Sequence, residues 1–219
     1  MIDFGEWLPD QQAIASPLQV AKNVIPSAVG YSAVKNLSDF SLAGDARLQG
    51  IFSKKDSSGG VELFAGDAGK LYKFNSVTSQ LDDVSKAGGY TLGVDQYWNF
   101  CSFGNKIIVA GDTSQRLQFI ASGGTQFADL SATAPQARYV AVVRDFVVTG
   151  YSGGESRVTW SAINDETSWT AGSNQSDFQV IPDQGHVKAV VGGEYGIIFM
   201  DNAIVRMTYV GSPLIFQFD

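Results

Sequence analysis

The sequence predicts an all-β fold: a β-propeller of about four blade-like repeats behind an extended N-terminal segment. Three observations carry that expectation. Among 219 residues there are 24 glycines and 12% aromatics but only 17% charged residues, a composition that favours short strands joined by turns over coiled coil or disorder. Four segments share one pattern of strand, polar turn and strand. With Leu71, Leu117, Val158 and Val205 taken as equivalent, they recur at 46, 41 and 47 residues, the period of propeller blades.

Residues 1–43 form the N-terminal segment. Trp7-Leu-Pro-Asp10 reads as a turn with an aromatic anchor, and Leu18 to Ile25 as a short helix or strand stopped by Pro26. The segment is apolar without belonging to a blade, so it either caps the domain or reaches a neighbouring subunit. Trp7, Leu8, Pro9 and Tyr31 are the expected subunit-interface residues, because aromatic anchors favour buried interface centres.

The blades occupy 44–219, at about 44–89, 90–133, 134–182 and 183–219; four units closing alone and a larger six- or seven-bladed parent, which needs more residues, both stand open at this point. Val61 to Phe74 and Lys106 to Phe119 are hairpins in which Gly66-Asp67 and Gly111-Asp112 supply a residue free for positive φ and then an Asx-turn. Asp201-Asn202 has the same task in Gly196 to Tyr209. Asp145 to Tyr151, then Arg157 to Ser161, is the remaining hairpin. Phe146-Val-Val148 and Ile197-Ile-Phe199 are continuous apolar runs, the pattern of strands buried on both faces. Gly-Gly pairs at 59–60, 88–89, 123–124, 153–154 and 192–193 mark turns. Gly66-Asp-Ala-Gly69-Lys70 lacks the P-loop spacing. The last unit ends inside strand-like sequence, Pro213 to Asp219, so either the final strand completes a sheet elsewhere or the chain is the front part of a longer protein.

Charge and cysteine use narrow the function. Fifteen Lys and Arg against 22 Asp and Glu give a net charge of −7, which argues against broad phosphate-backbone binding. The single cysteine, Cys101, leaves no internal disulfide and no CxxC metal site. No apolar stretch reaches the roughly 18 residues of a membrane helix. The N-terminus lacks a basic region followed by an apolar run, so no signal peptide is expected.

The chemistry-bearing residue types are scattered. His186 is the only histidine and falls in a loop, without an HExxH or a GxSxG partner motif. Asp82-Asp83, Asp165-Glu166, Asp177 and Asp183 fall in turn-like contexts and lack the aromatic cluster of a sugar subsite, with one exception. Trp160 to Trp169 loosely resembles the Asp-box of sialidase-type propellers, without the glycine between Asp165 and Trp169; Trp169 is expected to wedge a turn. Tyr97, Trp98, Phe100 and Phe103 could form a stacking platform, but their expected place is the core between blades. No catalytic residue, cofactor or metal ligand is expected.

One family resemblance runs along nearly the whole chain. Gly5-Glu-Trp-Leu-Pro-Asp10, Ala21-Lys-Asn23, Pro26, Gly30-Tyr31 and Leu37 open it. Phe64-Ala-Gly-Asp67 with Lys70-Leu-Tyr72, Trp98-Asn-Phe100 with Phe103-Gly104, Val158-Thr-Trp-Ser161 with Asp165 and Trp169, and Tyr209-Val-Gly-Ser-Pro213 with Phe216 continue it. These residues resemble the N-terminal part of a tailed-phage head-to-tail joining protein, the tail-nozzle or DNA-stabilisation type. The resemblance implies a non-enzymatic virion protein at the head–tail junction, assembled in the host cytoplasm. It implies six-bladed propellers in a hexameric ring, with the portal, the adaptor and other tail proteins as partners. Phage DNA would pass through the channel without tight binding, as an acidic lining would favour. Alternatives from other classes are a receptor-binding tail protein and a carbohydrate-active propeller enzyme.

Overall fold

The computed structural model describes residues 20, 22–27, 30–35, 38–42, 44–55, 59–152 and 154–219, and every regular element among them is a β-strand. They fall in two compact units, one ending at Phe40 and one starting at Ser41.

In the first unit, β1 (Val24–Ser27) pairs antiparallel with β2 (Gly30–Ala33), Val24 opposite Ala33 and Pro26 opposite Tyr31. Pro26 was expected to stop this element; instead it lies inside the strand. A two-stranded sheet consists only of edges, where a missing N–H need not break a ladder. Tyr31 is half-buried in β2. Trp7, Leu8 and Pro9 lie outside the described residues.

The second unit contains four four-stranded sheets, each an antiparallel meander with its strands in chain order. Sheet 1 is β3 (Gly50–Lys55), β4 (Val61–Gly66), β5 (Leu71–Asn75) and β6 (Gln80–Asp83). Sheet 2 is β7 (Asn99–Phe103), β8 (Lys106–Ala110), β9 (Gln118–Ala121) and β10 (Ala128–Asp129). Sheet 3 is β11 (Tyr139–Val143), β12 (Phe146–Gly150), β13 (Arg157–Trp160) and β14 (Asp177–Val180). Sheet 4 is β15 (Val187–Val191), β16 (Gly196–Met200), β17 (Ile204–Gly211) and β18 (Ile215–Phe218). The four repeated hairpins are the middle strand pairs of the four sheets, and Leu71, Leu117, Val158 and Val205 are all buried. Among the first strands, β3 lies beside β7, β7 beside β11, and β11 beside β15.

Three apolar seams join the sheets, and strand alternation builds them. On β8, Ile107 and Val109 meet Phe64, Leu71 and Trp98 of the first seam, while Ile108 and Ala110 face the second with Cys101, Leu117 and Val147. On β12, Val147 points back into that second seam. Phe146 and Val148 point forward into the third, against Val190, Ile198 and Phe216. Each fully buried aliphatic or aromatic side chain is worth about 1.5–3 kcal/mol. Successive sheets therefore hold one another through both faces of the strands between them.

The tight glycines serve these seams more than their turns. Gly66 was expected to supply a positive φ, but it is not among the positive-φ residues. A Cβ there would sit 2.4 Å from Trp98 Cδ1, and one at Gly111 would sit 2.9 Å from Trp98 Cε3. Trp98 fills the space, donates its indole N–H to the Asp67 carbonyl at 2.7 Å and meets Tyr90 edge-on at 5.1 Å. The Asx-turns form as expected: Asp67 Oδ1 accepts from the N–H groups of Gly69 and Lys70, and Asp112 Oδ1 accepts from that of Ser114. Asp201 differs from that expectation, because its Oδ2 accepts from the His186 N–H at 2.7 Å and so ties down the loop before β15. The 192–193 pair is likewise more than a turn: Gly193 bridges to Val143, and a Cβ at Gly192 would lie 1.9 Å from the Val142 carbonyl oxygen.

The two apolar runs part company. All five residues of β12 are buried, as expected. β16 alternates instead: Ile198 and Met200 are buried, Ile197 is half-buried and Phe199 is exposed. Its inner face meets sheet 3, whereas nothing among the described residues of the second unit covers its outer face to the same degree. Tyr97 also departs from its expected core position and is exposed, while Trp98 is buried and Phe100 and Phe103 are half-buried.

Candidate functional site

The residue types that could carry acid–base or nucleophilic chemistry are engaged in structural tasks. Asp165 Oδ1 accepts from the Thr167 backbone N–H at 3.0 Å and from its hydroxyl at 2.6 Å, which holds the Asp165 carboxyl below its ordinary pKa. Glu166 pairs with Lys106, and its backbone carbonyl accepts the Trp169 indole N–H at 2.7 Å. Trp169 is buried in the second seam, the wedge its sequence context predicts. Asp83 is held by Ser85 and Lys70. His186 is exposed in the loop before β15, 2.6 Å from Glu155 and edge-on to Tyr151. Burial pushes the Cys101 thiol up to about 12, so it stays protonated at neutral pH. Among the described residues no three His, Cys, Asp or Glu side chains group as metal ligands.

Two other features stand out. The first is a cavity of about 330 Å³ where sheet 3 meets the chain flanking β9 and β11. Arg116, Arg157, Ser152 and Thr159 supply its polar side, and Pro135 and Trp169 its apolar wall. Arg157 and Thr159 lie two apart on β13 and so share a face. Arg157 Nε donates to Thr159 Oγ1 at 3.2 Å, and its guanidinium stacks 3.7 Å from the centre of the Phe178 ring. Buried Ser152 donates to the same Thr159 oxygen at 2.9 Å. Arg116 Nη1 donates to the Ala134 carbonyl at 2.8 Å. Neither arginine has a carboxylate partner within ion-pair distance among the described residues. Sequence reasoning missed this group. Its signal was an Arg-x-Thr alternation inside a strand, in a chain with few cations.

The second feature is the outer surface of the end sheets. On sheet 4, Val191 pairs with Ile197 and Phe199 with Ile204. Val191, Phe199 and Ile204 are 52%, 38% and 68% exposed. On sheet 1, Ile51 and Val61 are each 66% exposed on the face turned away from sheet 2. Of the expected interface residues, only Tyr31 is described, and it lies in the first unit. No helix among the described residues is long and apolar enough to cross a membrane.

No protein-family model matches the chain, and no curated protein matches it. Among solved structures it is similar to the computationally designed Ika4 protein, with a TM-score of 0.53 and 15% identity over 80% of this chain and 100% of that one. It is also similar to apo AztD from Citrobacter koseri, with a TM-score of 0.38 and 12% identity over 76% of this chain and 46% of that one.

Proposed function

We propose that the chain is a structural virion protein of a tailed phage, built of propeller blades and assembling with copies of itself into a ring at the head–tail junction. Its task is to join the portal and adaptor to the tail and to give the packaged DNA a channel, without catalysing a reaction. The observation that carries this reading is the group of apolar side chains on the outer face of sheet 4, where Arg206 stands opposite Ile197. Val191, Ile197, Phe199 and Ile204 repeat on that face the alternation that Phe146 and Val148 use to build a seam. In-register apolar pairs exposed to water mark a contact surface. A sheet of the same kind from a second copy covers it, as each internal sheet covers its neighbour. The motif resemblance supplies the phage setting and the six-fold ring. The net charge of −7 per chain suits a channel through which DNA slides.

Negative-stain images of the purified protein, alone and with portal and adaptor, test the setting. Six-fold rings with a central hole that bind the portal are expected. Single particles in both samples, with no portal binding, contradict it.

A further inference from the structure

We propose that the cavity beside β13 is a binding site for a small ligand carrying an oxyanion, a carboxylate, sulfate or phosphate group. This goes beyond the assembly role and stands on different residues. The polar wall is built of donors. Thr159 Oγ1 already accepts from Ser152 Oγ and from Arg157 Nε, so both of its inward bonds are received rather than given. Its own hydroxyl proton has no acceptor among the described residues, although Thr159 is 5% exposed and Ser152 1%. A buried hydroxyl proton without an acceptor is costly, and an oxyanion at this point would relieve it.

The two guanidiniums add charge to this geometry. Arg157 uses Nε on Thr159 and its flat face on Phe178, which fixes the plane and leaves its two terminal nitrogens without an ion-pair partner among the described residues. A fixed guanidinium fork matches two oxygens of one carboxylate or phosphate. Arg116 is anchored through one terminal nitrogen on Ala134 and brings a second positive charge to the same cavity. Asp129, whose carboxyl is lowered chiefly by Lys86 and Gln118, binds those two at 2.7 Å each and meets Arg116 only beyond ion-pair distance, through a weaker charge attraction. In a chain of net charge −7, two cations without carboxylate partners facing one 330 Å³ space are placed for an external anion. Pro135 and Trp169 give the rest of the ligand an apolar surface.

Calorimetric titration of the whole chain at constant ionic strength tests the site, with sulfate, inorganic phosphate and glucuronate as probes and glucose as the neutral control. Saturable one-to-one binding of at least one anionic probe is expected, with none for glucose. The probe that binds tightest tells a carboxylated ligand from a sulfated or phosphorylated one. Arg157→Gln should weaken binding about tenfold or more, as the loss of charge-assisted hydrogen bonds would. Arg157→Lys should restore part of it, because it returns the charge without the fork. Arg116→Gln alters an exposed residue and should keep the thermal midpoint while weakening the same probe. No saturable binding by any anion overturns the site, as does binding that both glutamine variants leave unchanged.

Discussion

β12 and β16 are the second strands of two successive sheets, both apolar runs, and they differ in what lies beyond them. Phe146 to Gly150 is buried throughout because sheets 2 and 4 press on its two faces. Gly196 to Met200 is likewise an apolar run at the same position in its meander, yet Phe199 is 38% exposed. The burial of a strand here is set by neighbouring sheets, and an apolar run in the sequence does not by itself reveal whether a neighbour is present. The contrast also shows where the molecule can still gain contacts: at the outer surfaces of the end sheets rather than in the seams between them.

The seams should be where substitutions cost most. Trp98→Ala removes the indole ring around which Gly66 and Gly111 are shaped, and should destabilise by about 3–5 kcal/mol in urea denaturation. A loss under 1 kcal/mol would break the comparison. Gly192→Ala places a methyl against the Val142 carbonyl and should cost about 1–3 kcal/mol, seen as a lower urea midpoint.

The polar part of the first seam should be pH-dependent. Burial would raise the Glu62 carboxyl, but the Lys73 ammonium at 2.6 Å, the Gly123 N–H and the Ser122 hydroxyl outweigh it and hold the pKa below the ordinary value. A carboxyl lowered by folding stabilises the protein fully above its unfolded pKa and loses that contribution as pH falls through the folded one. Glu62→Gln should therefore cost about 1 kcal/mol at pH 7, and the gap from wild type should close in acid, as thermal melts across pH would show. A gap that widens in acid would contradict this. The smallest effect belongs to the outer face. Ile204→Ser should change the stability of the single chain by no more than about 0.5 kcal/mol while altering its association.

The repeat was legible because the first two middle hairpins carry their own turn chemistry, with Asp67 and Asp112 closing Asx-turns that local sequence determines. The inward positions followed from alternation, and Trp169 from its place after Asp165. The rest depended on contacts distant in sequence. Gly66 looked like a turn glycine because Trp98, which forbids a Cβ there, lies 32 residues onward. Asp201 looked like a cap for its own turn, but its partner is the His186 N–H on the preceding loop. Pro26 looked like a stop because nothing local marks a two-stranded sheet. The Arg116 and Arg157 cavity was invisible for the same reason: its residues come from two sheets and a linker, and only folding brings them to one wall.

The most direct test of assembly through the end sheets is the solution mass by light scattering, comparing wild type with the double variant Phe199→Glu, Ile204→Lys across a range of protein concentration. The account predicts a wild-type mass several times the 23.4 kDa of one chain and a monomeric variant whose melting temperature matches that of wild type at low concentration. A wild type that stays monomeric throughout, or a variant that assembles as well as wild type, would contradict it.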